Sequence, residues 1–202
     1  SKPKNNFEDI KELPKSWKIE GKVSLNTNDG FKSRNSILLE RSKDKMEEPT
    51  SVVTDSFPVS GGMWEVKAAT KCDLFSPDSS YNGVVYLDVF DASGKQMDKF
   101  EISLAYEKTS WKEISKTCKL EKNANFARFR IVMNKTYGFF SVDNLSAKYL
   151  SPVPENLFSK IKLAPKAYGA LFYPGDKIAF DATVETNGEW VSDKKEISII
   201  VK

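Results

Sequence analysis

The chain has 202 residues, with 31 Lys and Arg against 28 Asp and Glu, a formal net charge of +3 and 40% hydrophobic residues. This composition predicts a soluble globular protein of one large or two small domains, and no apolar run reaches the ~18 residues of a membrane span. The complete absence of histidine excludes His-assisted serine and cysteine hydrolases and the usual zinc, copper and non-haem iron sites. The small, evenly spread charge indicates no nucleic-acid partner.

Strand-forming segments dominate the first three quarters of the chain. They alternate apolar and polar residues or carry β-branched and aromatic residues, as in 63–68, 83–90 and 127–133. Turn-forming clusters separate them, including 28–30, 77–80 and 91–94. No segment keeps a helical period over three turns. Many short strands without intervening helices predict an all-β, antiparallel sandwich or barrel.

A stiff connector, Ser151-Pro152-Val153-Pro154, predicts a domain boundary, with one domain at 1–151 and a β-rich segment at 152–202. Within the second segment, 177–184 and 196–201 read as strands. An immunoglobulin-like sandwich needs about 100 residues, so we expect either an incomplete immunoglobulin-like module here or strands that pack against another domain or subunit. Together with a start at Ser1 and no apolar leader stretch, this indicates a piece of a larger protein.

The two cysteines, Cys72 and Cys118, fit no metal-ligand spacing, and neither has a histidine to activate it. They would form one disulfide if the strands that carry them are neighbours. A disulfide would agree with a secreted protein.

An ordered set of motifs runs from about Asn5 to Leu150. It comprises Asn6-Phe7-Glu8, Leu13-Pro14-Lys15-Ser16-Trp17, Ser33 to Leu39, Phe57 to Trp64, Val89 to Gly94, Ser110-Trp111-Lys112 and Gly138 to Leu145. The set resembles the jelly-roll carbohydrate-binding modules of families four, nine and twenty-two, which have a galactose-binding-like β-sandwich fold. The resemblance implies a non-catalytic module that holds a secreted polysaccharide-degrading enzyme to its glycan.

The resemblance also implies a structural calcium where the first and last strands meet. Glu8 and Asp143 match the family's carboxylate ligands, although Val142 and Asn144 depart from its closing motif. Hard oxygen ligands suit calcium. Asp29, in the turn before Ser33, is a possible third ligand, or it only stabilises the turn. The alternative for Glu8 and Asp143 is an exposed glutamate and a turn-capping aspartate.

Sugar recognition uses aromatic faces together with planar hydrogen-bonding groups. In 85–89 and 127–131, every second side chain is predicted to point away from the core, because side chains alternate along a strand. These outward side chains would share the concave face of the jelly roll. Phe139 alternates in the same sense, and two tyrosines lie in turns at strand ends. The candidate carbohydrate-binding residues are therefore Tyr86, Asp88, Arg128, Arg130, Phe139, Tyr81 and Tyr137.

The alternative for the outward Asp and Arg residues is an ordinary cross-strand ion pair. Trp17, Trp64 and Trp111 are predicted to lie in the core, because large aromatic residues usually fill the space between sheets.

These patterns lead to one functional hypothesis and one alternative. We expect a non-catalytic polysaccharide-binding module, with structural calcium, that targets a larger secreted or cell-surface protein such as a glycoside hydrolase. Its partners would be a polysaccharide and the other domains of the same polypeptide. The alternative is a structural spacer or adhesion sandwich that binds no sugar, because the fold alone does not decide between them.

Overall fold

The computed structural model describes residues 4–5, 7, 10–152, 158–165 and 180–186. Contacts divide the chain into two compact units, Ser1–Val153 and Pro154–Lys202. The boundary that the sequence predicts after residue 151 remains a prediction.

The regular structure of the described residues is almost entirely β-strand, which confirms the predicted fold class. One short 3-10 helix, Lys43–Lys45, lies between the fourth and fifth strands. The strands are β1 (Lys4–Asn5), β2 (Lys18–Glu20), β3 (Lys22–Asn26), β4 (Ser36–Arg41), β5 (Thr50–Val53), β6 (Phe57–Pro58), β7 (Gly62–Leu74), β8 (Asn82–Phe90), β9 (Gln96–Ala105), β10 (Lys108–Leu120), β11 (Phe126–Asn134), β12 (Gly138–Ser151), β13 (Phe158–Pro165) and β14 (Phe180–Thr186).

Two antiparallel sheets form the sandwich of the first unit. Sheet A has the order β10-β7-β12-β4-β3, with β1 paired to β12, and sheet B has the order β2-β5-β11-β8-β9, with β6 paired to β11. In the second unit, β13 and β14 pair antiparallel. The other predicted strand of that unit, 196–201, lies outside the described residues.

The core lies between the two sheets, because alternate side chains of each strand point into it. On β11, residues Ala127, Phe129, Ile131 and Met133 are buried, and the residues between them are more exposed. Sheet A contributes Ile37, Leu39, Val66, Phe140 and Val142 to the same buried cluster. The alternation of apolar and polar residues in the sequence therefore corresponds to the alternation of core-facing and outward side chains in the sandwich.

Gly83 on β8 and Phe140 on β12 interlock across the core. A Cβ atom built on Gly83 would lie 2.7 Å from the ring atoms of Phe140, which is closer than carbon atoms pack. Phe140 itself is fully buried. The missing side chain at position 83 therefore provides the space that the aromatic ring fills.

The turn between β8 and β9 follows from its sequence, Asp91-Ala92-Ser93-Gly94. The Oδ1 atom of Asp91 accepts hydrogen bonds from the backbone N–H groups of Ser93 (2.9 Å) and Lys95 (3.0 Å). Gly94 has a φ of +84°, a conformation that favours glycine. The predicted hairpin turn thus forms with the expected chemistry.

Arg41, at the end of β4, closes one end of the sandwich. It is 7% exposed, and its guanidinium donates to Thr50 Oγ1 (3.1 Å) and to the carbonyl oxygens of Met46 (2.9 Å), Thr136 (3.0 Å) and Met133 (2.9 Å). Burial lowers the pKa of Arg41 below its ordinary value. One buried cation therefore links sheet A to sheet B and to the loop of residues 42–49.

The predicted disulfide is not formed. Both cysteines are free and buried, although β7 and β10, which carry them, are neighbours. The register pairs Cys72 with Thr109 and Cys118 with Trp64, so the two thiols lie at opposite ends of the strand pair, beyond the reach of an S–S bond. Burial raises the pKa of Cys118 to about 11 and also raises the pKa of Cys72.

The tryptophans divide between the core and the surface. Trp64 belongs to the buried cluster and Trp17 packs against it. Trp111 does not, which corrects its predicted core position. It lies near the bulge of β10, where its indole N–H donates to Asp29 Oδ1 at 2.9 Å and its ring contacts Phe31.

No helix in the described part of the chain has the length and apolar character needed to cross a membrane.

We predict that Gly83→Ala destabilises the protein by about 1–3 kcal/mol, because the added methyl group overlaps the Phe140 ring. The Phe140→Leu substitution alone should also be destabilising. In the double variant the two costs should be less than additive, since the smaller side chain makes room for the methyl group. Urea unfolding of the four proteins measures this coupling, and strictly additive costs would contradict it.

Candidate functional site

The most distinctive surface of the sandwich is the side of sheet B that faces away from the core, named here the outer face of sheet B. Register places three cross-strand pairs of β8 and β11 on it: Tyr86 with Arg130, Asp88 with Arg128, and Phe90 with Phe126. Four of these residues were predicted to share one face. The structure brings them together there, since the intervening Leu87 and Phe129 point into the core.

An ion pair occupies the centre of this face. The Arg130 side chain donates to Asp88 through Nε at 2.6 Å and through a terminal nitrogen at 2.8 Å, a bidentate arrangement. Asp88 is 1% exposed, and its carboxylate raises the pKa of Arg130. The pair runs diagonally across the strands, because the residue opposite Asp88 in the register is Arg128.

Aromatic rings flank the ion pair on both sides. The Tyr86 ring centroid lies 4.6 Å from the Arg130 guanidinium carbon and 5.0 Å from the Lys99 ammonium nitrogen. On the other side, Phe90 and Phe126 stack with centroids 5.0 Å apart, and the Arg128 guanidinium lies 4.7 Å from the Phe90 centroid. Phe90 is buried, whereas Tyr86 and Phe126 are half-buried. The face therefore combines the partly exposed rings of Tyr86 and Phe126 with planar cations.

A groove of about 580 Å³ continues this face beyond Arg130. Its floor is formed by outward residues of β5 and β11, and the loop of residues 42–49 forms one wall. The lining residues are Glu20, Arg41, Met46, Glu47, Glu48, Pro49, Thr50, Ser51, Ser80, Arg130, Val132, Met133, Asn134 and Lys135. This volume lies in the range typical of small-ligand sites.

Two carboxamides meet at the groove. Asn134 donates from Nδ2 to Oδ1 of Asn82 at 2.8 Å, and Asn82 in turn donates to the carbonyl oxygen of Ser79 at 2.6 Å. The chain of bonds orients both amides where β8 begins and β11 ends. Asn82 is buried, so Asn134 is the amide whose remaining positions suit a sugar hydroxyl group.

Phe139 does not join the outer face of sheet B, which corrects its predicted position. It lies on β12 in sheet A, where it pairs with Glu40 and Asp73 in the register. There it lines a separate groove of about 740 Å³. The alternation along β12 was interpreted correctly, but β12 belongs to the other sheet.

Tyr81 and Tyr137 form a separate aromatic cluster with Phe75. The Phe75 ring stacks on Tyr137 with centroids 4.8 Å apart and contacts the Tyr81 ring edge-on at 6.4 Å. Phe75 is 44% exposed. Because Tyr81 follows Ser80, a lining residue of the groove, the cluster lies next to the groove rather than on the outer face itself.

Glu8, one of the predicted calcium ligands, lies outside the described residues. Asp143 is fully buried, and its carboxylate accepts hydrogen bonds from the backbone N–H groups of Phe31 (2.8 Å) and Asn144 (2.6 Å) and from the Ser33 hydroxyl (2.7 Å). β1 pairs with β12 through Lys4–Ser146 and Asn5–Leu145, close in sequence to Asp143. The calcium site remains a prediction.

Asp29 fits an ion pair better than a metal site. Its Oδ2 atom accepts from the Lys71 ammonium at 2.7 Å, and its Oδ1 atom accepts from Trp111. The hydrogen bond from Lys71 lowers the pKa of Asp29 most strongly. Within the described ranges, no group of three or more His, Cys, Asp or Glu residues is placed to hold a metal.

Sequence analysis did not include Phe90, Phe126 and Lys99 among the site residues. The signal for the two phenylalanines was present, since extending the same period of two beyond Asp88 and Arg128 places both on the outer face. Lys99 carried no such signal, because β9 joins β8 with bulges near Val85 and Val89 that shift its register.

No family model matches the chain, and no curated protein matches it. Among solved structures, the enzymatically active domain of tailspike protein 4 from bacteriophage CBA120 is similar, with a TM-score of 0.55 and 11% identity over 73% of this chain. The match spans only 20% of the tailspike chain.

Two further structures are carbohydrate-binding modules of family 22. One is described as a xylan-binding domain, and the other is the C-terminal module of Clostridium thermocellum Xyn10B. Each has a TM-score of 0.50 and 14% identity, over 72% of this chain and 92% of the module. At such identities the likeness concerns the fold, and it confirms the resemblance to a jelly-roll carbohydrate-binding module at that level.

We predict that Arg130→Met is more destabilising than Asp88→Asn. The first change leaves the Asp88 carboxylate buried, with a single long contact of 3.5 Å from Gln96, and should cost about 3 kcal/mol. The second leaves the Arg130 side chain, which is 27% exposed and reaches water, and should cost about 1 kcal/mol. Equal shifts of the urea midpoint in the two variants would contradict the structure.

Proposed function

We propose that the protein is a non-catalytic carbohydrate-binding module whose sugar site is the outer face of sheet B and its adjoining groove. The observation that supports this proposal most is that the outer face of sheet B and the groove are continuous. Aromatic rings and planar guanidinium groups on β8 and β11 lead directly into a groove lined by Asn134. A polysaccharide chain lying along the strands would contact aromatic surface, guanidinium donors and this carboxamide in turn.

The chemistry of the face supports binding rather than cleavage. Glycoside hydrolysis uses a pair of carboxyl groups, one of them free to donate a proton. Two outward carboxylates lie on this part of β8 and β9. Asp88 has both oxygen atoms bound by Arg130, and Glu101 is exposed on β9. This arrangement favours a face that holds a glycan without reacting with it.

Xylan is the first glycan to test, because a structurally similar module is described as a xylan-binding domain. The proposal extends to the setting of the protein: a secreted or cell-surface polypeptide, such as a glycoside hydrolase, whose other domains the module brings to the polysaccharide.

We predict that Tyr86→Ala weakens polysaccharide binding about tenfold, because a lost aromatic contact and its hydroxyl hydrogen bond together contribute about 1.4 kcal/mol. Affinity electrophoresis against xylan and other soluble polysaccharides, with a glycan array, measures the effect. Tyr149→Ala is the matched control, since it removes a 42% exposed tyrosine from sheet A.

Binding that is equally weakened by the control would contradict the assignment of the face. Binding to no polysaccharide would contradict the proposed function as a whole and favour the alternative, a structural spacer or adhesion module with the same fold.

We also propose that structural calcium binds with Glu8 and Asp143 as ligands, with Asp29 left out because it is paired with Lys71. A ligand that binds only the native state adds about 2.7 kcal/mol at 100 times its Kd. A calcium chelator should therefore lower the melting temperature of the wild type by about 5–10 °C. The Asp143→Asn variant should lose this response, whereas Asp29→Asn should keep it. An unchanged wild-type melting temperature would rule the ion out.

A further inference from the structure

The side chain of Arg128 has no polar partner within the described part of the protein. Its register neighbour Asp88 is bound by Arg130 instead, and the guanidinium of Arg128 lies 4.7 Å from the Phe90 centroid. The Nε atom of Arg128 is buried without a hydrogen bond. A buried donor without an acceptor is rare in folded proteins and usually indicates a missing partner.

Positive charges outnumber negative charges among the outward residues around Arg128. Arg128, Arg130 and Lys99 contribute three positive charges, and Asp88 and Glu101 contribute two negative charges. The bidentate bond to Arg130 already satisfies Asp88. Lys99, opposite Asp88 on β9, has no ion pair in the described ranges, and its ammonium contacts the Tyr86 ring.

The groove at the other end of the site carries both signs of charge. Glu20, Glu47 and Glu48 line it together with Arg41, Arg130 and Lys135. Arg128 and Arg130 are two residues apart on one strand, which separates their backbones by about 7 Å. The groove end is therefore balanced in charge, whereas the Phe90 end carries a planar cation without a polar partner in the described residues.

We propose that Arg128 binds an anionic substituent of the glycan, a sugar carboxylate or a sulfate ester, at the end of the outer face formed by Phe90 and Phe126. This inference rests on the proposed carbohydrate-binding function and names the class of glycan. The two terminal nitrogens of the Arg128 guanidinium can bind a carboxylate or sulfate through paired hydrogen bonds, and its stacking on Phe90 fixes its orientation. Lys99 adds electrostatic attraction to an anion but does not provide paired hydrogen-bond donors.

The test uses the full chain and pairs of polysaccharides that differ only in charge. The pairs are glucuronoxylan and its carboxyl-reduced form, polygalacturonate and its carboxyl-reduced form, and xylan with and without chemical sulfation. Calorimetry and affinity electrophoresis measure binding of each. We expect the charged member of at least one pair to bind about tenfold more tightly, as charge-assisted bonds are roughly twice as strong as neutral ones, with the preference falling as salt is added.

The variant Arg128→Gln should abolish this preference, because it should weaken binding of the charged member more than binding of the neutral member. Arg128→Lys should retain only part of the preference, because it keeps the positive charge but loses the paired donors of the planar guanidinium. Lys112→Gln is the matched control, since it removes one positive charge from an exposed position of sheet A and should change nothing. Melting curves check that each variant is folded.

The outcomes separate the two proposals. A preference for the carboxylated or for the sulfated pair identifies the anion. Binding to the neutral members without any preference for charge, or an equal loss on both members in Arg128→Gln, overturns the anion site and leaves the proposed function standing. Binding to no member of any pair overturns both.

Discussion

The buried guanidinium of Arg41 determines the shape of the end of the sandwich at which the groove lies. Its hydrogen bonds reach β5, the loop of residues 42–49, β11 and the segment after β11. A buried cation without acceptors is strongly unfavourable, so these four segments must stay where their acceptors can reach it. The same residue lines the groove. The segments that form the wall and floor of the groove are therefore held in place by the hydrogen bonds of the buried Arg41 guanidinium.

Local periodicity predicted which side of a strand each residue occupies. Along β8 and β11 it separated Tyr86, Asp88, Arg128 and Arg130 from the core, because successive side chains of a strand point to opposite faces. It also located the Asp91 turn, whose hydrogen bonds are local. These features depend on residues close together in sequence, and for that reason the sequence was sufficient to predict them.

Periodicity did not predict relations between distant strands. Phe139 points away from the core as expected, but it does so from sheet A, and the membership of β12 follows from pairings with β4 and β7 far away in sequence. The cysteines lie on paired strands, yet the register separates them. The choice of Arg130 rather than Arg128 as the partner of Asp88 depends on side-chain geometry, with Phe90 offering Arg128 an alternative contact.

The strand order leaves β9 at the edge of sheet B and β10 at the edge of sheet A. Both edges are long, with 10 and 13 residues, and carry many charged side chains, such as Asp98 and Lys99 on β9 and Lys112 and Lys116 on β10. Charged edges disfavour the addition of a further strand. The composition of these edges therefore disfavours the joining of two copies of the chain, edge to edge, into one continuous sheet.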